Sequence, residues 1–228
     1  LIGLILILPY SVIFKVPIIS ARRSLYSSSI FTWNKIIKKL IFLINNISSK
    51  KIIGNSDAVG KLTLTEAFSK KKYLTINNGV DLKKFKKADE RGIDKFREEF
   101  GITSNDFIIG SVGNYRKVKN HGQIIEAAKI VSRANNAIKF FILGDGIERN
   151  NLERMISQYG LEESVILTGY RSDLIEALSI IDIFVKTSTS EGSPNALIEA
   201  FAMKKLVIAT NVPSINEIIK QNEKFSNL

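Results

Sequence analysis

Ser190-Glu191-Gly192-Ser193-Pro194-Asn195-Ala196-Leu197-Ile198-Glu199-Ala200 decides how this chain is read. Two carboxylates stand eight residues apart with a helix start between them. Ser193 is a good N-cap, and Pro194 suits the first helical position, where a missing N–H is harmless. A helix is expected from Pro194 to about Lys204, with Leu197 and Phe201 on its apolar face. Apolar strands flank it, Ile183-Phe184-Val185 before and Leu206-Val207-Ile208 after. Strand, helix and strand of this kind form a βαβ unit with buried parallel strands.

In such a unit the loop and the helix start lie at the carboxyl ends of the strands, where open α/β sheets bind ligands. The free N–H groups of Gly192 to Ala196 would then favour an anion such as phosphate. Glu191 and Glu199 can both reach that cleft. Carboxylates beside a phosphate make sense if they accept from hydroxyls, and a sugar–diphosphate–ribose has hydroxyls on both sides of its phosphates. The plainer alternative makes Glu191 a solvated loop residue and Glu199 a partner of the helix dipole.

Working outward, the strands Phe107–Val112, Ile138–Leu143, Val165–Leu167, Ile183–Lys186 and Leu206–Ala209 alternate with helices. The helices are Asn120–Ala134, Glu148–Tyr159, Leu174–Ile180 and Pro194–Lys204. This alternation is a doubly wound parallel sheet. Other strand ends carry related chemistry. Arg116 and Lys119 follow Gly113-Asn114-Tyr115 and suit charge stabilisation of a diphosphate. Gly144-Asp145-Gly146 allows close backbone approach to a ligand. Thr168-Gly169-Tyr170-Arg171 can present backbone to a flat base. Each is weak alone; together at one sheet edge they favour a nucleotide-diphosphate site.

The first part of the chain is different. Residues 1–87 carry 16 Lys and Arg against 3 Asp and Glu, whereas residues 88–228 carry 17 against 19. A net +13 in the first part suggests an anionic partner such as a membrane surface, a phospholipid-linked acceptor or nucleic acid. Basic–aromatic interleaving of an RNA-binding kind is missing, so nucleic acid is not expected. Leu1 to Phe14 is too short to span a bilayer and is expected as a buried helix. A strand is expected over Val16 to Ser20, a basic amphipathic helix over Ser29 to Asn45, and a short strand over Lys51 to Gly54. A helix then runs from Asn55-Ser56-Asp57 to about Phe68, and a strand over Tyr73 to Ile76 ends at the turn Asn78-Gly79. Residues 83–91 form a linker, with a short helix, Asp94 to Phe100, after it. That gives two units, residues 1–82 and 92–228. The chain has no cysteine and a single histidine, His121, so thiolate or histidine metal clusters and a Ser-His-Asp triad cannot be built.

In order, Asn55-Ser56, Asn78-Gly79-Val80-Asp81 to Phe85, Gly113 to His121, Gly144-Asp145-Gly146, Thr168-Gly169 and Glu191-Gly192-Ser193-Pro194 to Glu199 form a set. The set resembles retaining glycosyltransferases of the GT-B type, glycosyltransferase family 4, whose motif is E-x7-E. The resemblance covers nearly the whole chain and implies two Rossmann-like domains facing a cleft, with no metal or other cofactor. It implies that Arg116 and Lys119 hold the donor diphosphate, with Glu191 they form the catalytic set, and Glu199 accepts from the ribose. Gly113, Gly144, Gly146, Tyr170, Arg171, Gly192, Ser193, Pro194, Asn195 and Ala196 would line the rest of the donor site. The implied partners are a nucleotide sugar and a glycan or lipid-linked acceptor, at the cytoplasmic face of the membrane.

The sequence departs from that pattern in places. Asn114 stands where many members carry an Arg, Arg23 near where many place a His, and Lys204 where a Gly usually follows the helix. The glycine-rich first part of the acceptor domain and the C-terminal crossing tail are not in the match, so the chain is expected to be a fragment with little transferase activity by itself. Two alternatives stay open: a nucleotide-sugar epimerase of the same fold, and a non-catalytic basic module for membrane or nucleic acid.

Overall fold

A computed structural model of the chain describes Ser11 and residues 13–23, 43–64, 71–85 and 88–225. Two parallel sheets organise it. The first has three strands in the order β1 (Ile18–Arg22), β2 (Ser49–Gly54) and β3 (Tyr73–Thr75). The second has five strands, β4 (Phe107–Val112) to β8 (Leu206–Ala209), in the order β6-β5-β4-β7-β8. Between these two, β5 is Ile138–Leu143, β6 Val165–Gly169 and β7 Ile183–Lys186. All five pair in parallel.

Strand order places the site. From β4 the chain winds one way through β5 to β6. It then crosses back and winds the other way from β7 to β8. The direction reverses between β4 and β7, whose carboxyl ends splay around the crevice where open α/β sheets take ligands. Val112 and Lys186 end those two strands. Lys186 is therefore delivered to the crevice by the register of a central strand.

The helices follow the expected alternation. They are α1 (Asp57–Thr63), α2 (Glu90–Glu99), α3 (Gly122–Ala134), α4 (Arg149–Tyr159), α5 (Leu174–Ile180), α6 (Asn195–Ala202) and α7 (Pro213–Phe225). On one face of the large sheet, Phe96 of α2 packs with Phe141, Leu178 and Phe184. On the other face, Ile125 and Ala128 of α3 and Leu152 of α4 cover Phe140 and Ile142. Alternate residues of β5 thus feed opposite cores, as a period of two requires.

Several expectations need correcting. The helix after the glutamate loop starts one residue later than expected, because Pro194 is its N-cap with φ −76° and ψ 101°, not its first helical residue. Ser193 is displaced from the cap, and no side chain caps the helix. Helix α2 begins at Glu90 instead of Asp94, so it absorbs the end of the expected linker. The first strand covers Ile18–Arg22, not residues 16–20, and Ile19 within it is exposed, so the strand is not buried on both faces. Most of the apolar start and most of the expected helix over residues 29–45 lie outside the described residues. Ile13 and Phe14, at the end of the apolar start, are exposed, contrary to burial. Among the described residues no helix is long and apolar enough to cross a membrane.

Among the described residues, hydrogen bonds join the two units through α7 and through the loop after β3. Glu217 of α7 accepts from the backbone N–H groups of Asp57 (3.0 Å) and Ala58 (3.1 Å). It thereby caps α1 from the other unit, beside the local N-cap Ser56, whose hydroxyl accepts from Val59 N–H at 3.2 Å. Asn78, beyond β3, donates to the Asn195 side-chain oxygen at 2.6 Å. The expected Asn78 turn therefore faces the start of α6.

Candidate active site

The glutamate loop gathers its charge tightly. Lys119 Nζ lies 2.7 Å from Oε1 and 2.8 Å from Oε2 of Glu191. Ser188 Oγ donates to Oε1 at 2.7 Å, and Lys186 Nζ stands 3.4 Å from the same oxygen. The Glu191 carbonyl accepts from Ser214 Oγ at 2.8 Å, which ties the loop to α7. Exposure separates the members: Glu191 is 8% exposed, Lys119 22% and Lys186 2%. Burial alone pushes the Glu191 carboxyl up. The charges of Lys186 and Lys119, with the bonds from Lys119 and Ser188, outweigh it and hold the carboxyl below its ordinary range. Glu191 is an anion whose Oε1 is crowded by Lys119, Ser188 and Lys186, while Oε2 is bonded by Lys119 and keeps acceptor capacity.

Lys119 reaches it because Lys117–Lys119 form a single 3-10 turn ended by Asn120 in a left-handed conformation, φ 53° and ψ 40°. Asn is among the few non-glycine residues that adopt this region readily. The Lys119 carbonyl accepts from Thr187 Oγ1 at 3.0 Å, and Thr189 N–H donates to Val118 O at 2.9 Å. The loops after β4 and β7 are thus bonded to one another, and the lysine and glutamate face each other.

The expected residues divide. Glu191, Lys119 and Gly113 come together, with Gly192, Ser193, Pro194, Asn195 and Ala196 leading into α6. Gly192 and Pro194 are buried, and Asn195 is exposed. Glu199 lies one turn into α6; burial raises its carboxyl above the ordinary range, with Lys186 opposing. Gly144 and Gly146 are needed for close approach. A Cβ on Gly144, at φ 137°, would lie 2.2 Å from Gly113 O. One on Gly146, at φ 157°, would lie 2.6 Å from Tyr115 O. The two glycines let the loop after β5 close on the loop after β4.

Arg116 is placed differently from Lys119. It is exposed and lines a cavity of about 550 Å³ beside Gln123, Glu148 and Met155, at the starts of α3 and α4. Arg171 is turned to α2, with its guanidinium on Glu99 and Asp173 and stacked over Phe96 and Phe100. Its side chain is occupied, while the neighbouring Tyr170 is 83% exposed at the sheet edge.

Two residues at the crevice were missed. In the sequence Lys186 is only the last residue of an apolar strand, although a lysine ending a central strand is itself a signal. His121 ends the Gly113 to His121 stretch of the motif set, and the sequence gives it no role beyond that. It is buried at 3% exposure with neither ring nitrogen hydrogen-bonded, and its ring meets Tyr115 edge-on at 5.5 Å. Burial, then the charges of Lys186 and Lys119, push its pKa down to about 4, so it is neutral at pH 7. Among the described residues no group of three or more His, Cys, Asp or Glu could hold a metal ion.

Residues 92–226 match the family model of glycosyl transferases group 1. The chain belongs to this family. The match spans the whole five-stranded sheet and the glutamate loop. Among curated relatives of this chain, the UDP-Gal:alpha-D-GlcNAc-diphosphoundecaprenol alpha-1,3-galactosyltransferase of Escherichia coli is 35% identical over 153 residues, 65% of this chain and 39% of that protein. The poly(ribitol-phosphate) alpha-N-acetylglucosaminyltransferase of Staphylococcus aureus is 30% identical over 174 residues, 72% of this chain and 32% of that protein. The chain thus spans about a third to two-fifths of these relatives. Among solved structures, Anabaena HepE in complex with UDP-glucose superposes with a TM-score of 0.78 at 22% identity, covering 95% of this chain and 59% of that one. S. aureus TarM with UDP superposes at 0.68 and 21%, covering 96% and 47%. The fold is the expected partial GT-B arrangement.

Proposed function

We propose that the chain supplies the donor half, and part of the acceptor half, of a retaining glycosyltransferase of family 4. Such an enzyme moves a sugar from a nucleotide-diphosphate sugar to a hydroxyl of a glycan or lipid-linked acceptor. The observation that carries this is the Lys119–Glu191 pair, 2.7 Å apart at the β4/β7 crevice beside the start of α6. A cation and a helix start on one side and a carboxylate on the other match a ligand whose phosphates sit between hydroxyl-bearing rings.

In this reading the leaving diphosphate gains negative charge as the glycosidic bond breaks. Lys119, Arg116 and the N–H groups at Ser193 to Ala196 stabilise it, and preorganised charge of this kind is usually the largest catalytic term. Arg116 is exposed, and this reading requires it to turn inward when the donor binds. Glu191 accepts from hydroxyls of the donor sugar and Glu199 from the ribose. Gly113, Gly144 and Gly146 let the loops after β4 and β5 close together as backbone lining of the donor site, and backbone at Tyr170 and Arg171 meets the base. His121, neutral beneath the loop, adds no further positive charge to those of Lys186 and Lys119. No residue is assigned as an enzymatic nucleophile, and no metal is assigned to the site. Relatives named for diphosphoundecaprenol and poly(ribitol-phosphate) acceptors support an acceptor of that chemical kind. The +13 of residues 1–87 supports a peripheral position on an anionic membrane at the cytoplasmic face. Residues 1–82 and 92–228 are proposed as the two functional units, joined by residues 83–91.

Calorimetry with UDP, GDP and ADP, with and without EDTA, tests the donor site. Saturable binding of one of them, unchanged by EDTA, is expected. Binding that vanishes with EDTA would defeat the metal-free assignment, and no binding at all would defeat the donor site. Retention is tested separately by the anomeric configuration of the product.

A further inference from the structure

Lys186 is a buried cation at the middle of the crevice, and the donor-site reading gives it no role. Its ammonium donates to Val112 O at 3.2 Å and stands 3.4 Å from Glu191 Oε1. Gly113 makes room for it, since a Cβ there would lie 3.4 Å from Lys186 Nζ and 3.6 Å from His121 Nε2. The charged and titratable groups facing it are Glu191, Lys119, His121 and, from α6, Glu199.

The site holds two lysines for one carboxylate, and they differ in freedom. Lys119, partly exposed, holds both Glu191 oxygens; Lys186, almost fully buried, is fixed beneath them. A diphosphate needs Lys119, and Lys119 cannot serve the carboxylate and the phosphate at full strength together. Leaving a nearly buried carboxylate without its cation is costly. Lys186 removes that cost because it stays beside Glu191 whichever way Lys119 turns.

We propose that Lys186 is a positioning residue that keeps hold of the Glu191 carboxylate when Lys119 passes to the donor diphosphate. The exchange lets one loop neutralise two anions in turn, the carboxylate in the empty site and the phosphate in the filled one. This rests on the donor-site reading above. Deprotonation ends it: burial, then the charge of Lys119, bring the Lys186 pKa down to about 8, with Glu191 and Glu199 opposing. Above that pH Glu191 keeps only Lys119 as its cation, and Lys119 is held back from the phosphate.

The test is UDP affinity by calorimetry, with GDP and ADP as parallel probes, for wild type, Lys186→Met, Glu191→Gln and the double variant at pH 7. Lys186→Met should weaken binding about tenfold or more, because Lys119 is then the carboxylate's sole cation. Glu191→Gln releases Lys119, so the double variant should bind as Glu191→Gln does. A merely structural role for Lys186 would weaken the double variant as much as the single. Lys186→Met binding like wild type, or a double variant as weak as Lys186→Met, overturns the exchange. If wild type binds no nucleoside diphosphate, the donor-site reading falls and the exchange with it; if wild type binds and the variants break the pattern, the exchange alone falls. The pH profile supplies a second measurement that does not need Lys186→Met to fold. Between pH 7 and 9 the terminal phosphate of UDP, with a second pKa of about 6, is already about nine-tenths or more ionised, and what ionisation remains would raise affinity, not lower it. Affinity should fall through about pH 8 in wild type and stay level in Glu191→Gln. A level wild-type profile, or a fall that persists in Glu191→Gln, overturns the proposal.

Discussion

Lys119 Nζ bridges both oxygens of Glu191, at 2.7 and 2.8 Å, so the cation proposed for the diphosphate is engaged before any donor arrives. Two residues 72 positions apart in sequence meet this closely because the loops after β4 and β7 flank the one place where strand order reverses. Lys119→Met should therefore act twice. It removes a charged bond to the phosphate, worth about 1.5–3 kcal/mol, and leaves the carboxylate facing the incoming anion. UDP binding by calorimetry should weaken by at least tenfold. An unchanged affinity would place the diphosphate elsewhere.

The two carboxylates of the loop should separate kinetically. Glu191 lies before α6 at the crevice; Glu199 lies a turn inside the helix. A contact with the sugar strengthens as positive charge develops on its ring, so Glu191→Gln should lower kcat. A contact with a ribose hydroxyl is about equal in ground and transition states, so Glu199→Gln should raise donor KM by about 1–3 kcal/mol worth of binding and leave kcat nearly unchanged. The measurement is kcat and donor KM in an enzyme carrying both complete units. Loss of kcat on Glu199→Gln with Glu191→Gln silent would reverse the two roles.

Much of this site was legible in the sequence. Gly113, Lys119, Glu191 and Gly144 were placed at one sheet edge because runs such as Phe107–Val112 and Ile183–Lys186 have sharp apolar ends, and parallel topology puts those ends together. Details that depend on three-dimensional contact were not legible. Pro194 caps α6 although Ser193 has the better capping chemistry, because propensity fixes a boundary only to within a residue or two. Lys119 and Arg116 look alike in a loop; only the 3-10 turn at Lys117–Lys119 shows which one meets Glu191. The bonds from Glu217 to α1 could not be read at all, since nothing local pairs residues 160 positions apart.

His121 should control acid stability. Its pKa in the folded chain, about 4, lies below the ordinary 6.5, so the folded state resists protonation. Between those values the unfolded chain binds more protons, and stability rises with pH. The contribution is complete above pH 6.5 and is lost as pH falls towards 4, by roughly 3 kcal/mol in total. His121→Phe keeps a ring against Tyr115 and removes the titration. Urea unfolding of the variant between pH 4 and 7 should lose less stability on acidification than wild type does. Parallel curves for the two proteins would mean that His121 is not the group responsible.

Lys204 should be a site where a single substitution stabilises the protein. After α6, Lys204 N–H donates to Phe201 O at 2.9 Å and Lys205 N–H to Ala200 O at 3.0 Å. After α4, Gly160 N–H donates to Ser157 O at 3.1 Å and Leu161 N–H to Ile156 O at 3.0 Å. The two endings have the same paired pattern, in which the residue past the cap turns left-handed. Gly160 does so at φ 64° without strain, whereas Lys204 does so at φ 56° with a Cβ. That conformation costs a non-glycine residue about 1–2 kcal/mol, and part of the gain on removing it is offset by the greater freedom of glycine in the unfolded chain. Lys204→Gly should therefore stabilise by about 0.5–1 kcal/mol, or about 1–4 °C in Tm for a chain of this size. Gly160→Lys should destabilise by a similar amount, because it puts the same strain into the ending that now lacks it. Thermal unfolding of the two variants beside wild type checks both signs. A Tm that falls for Lys204→Gly would show that the lysine side chain makes a contact worth more than its backbone strain.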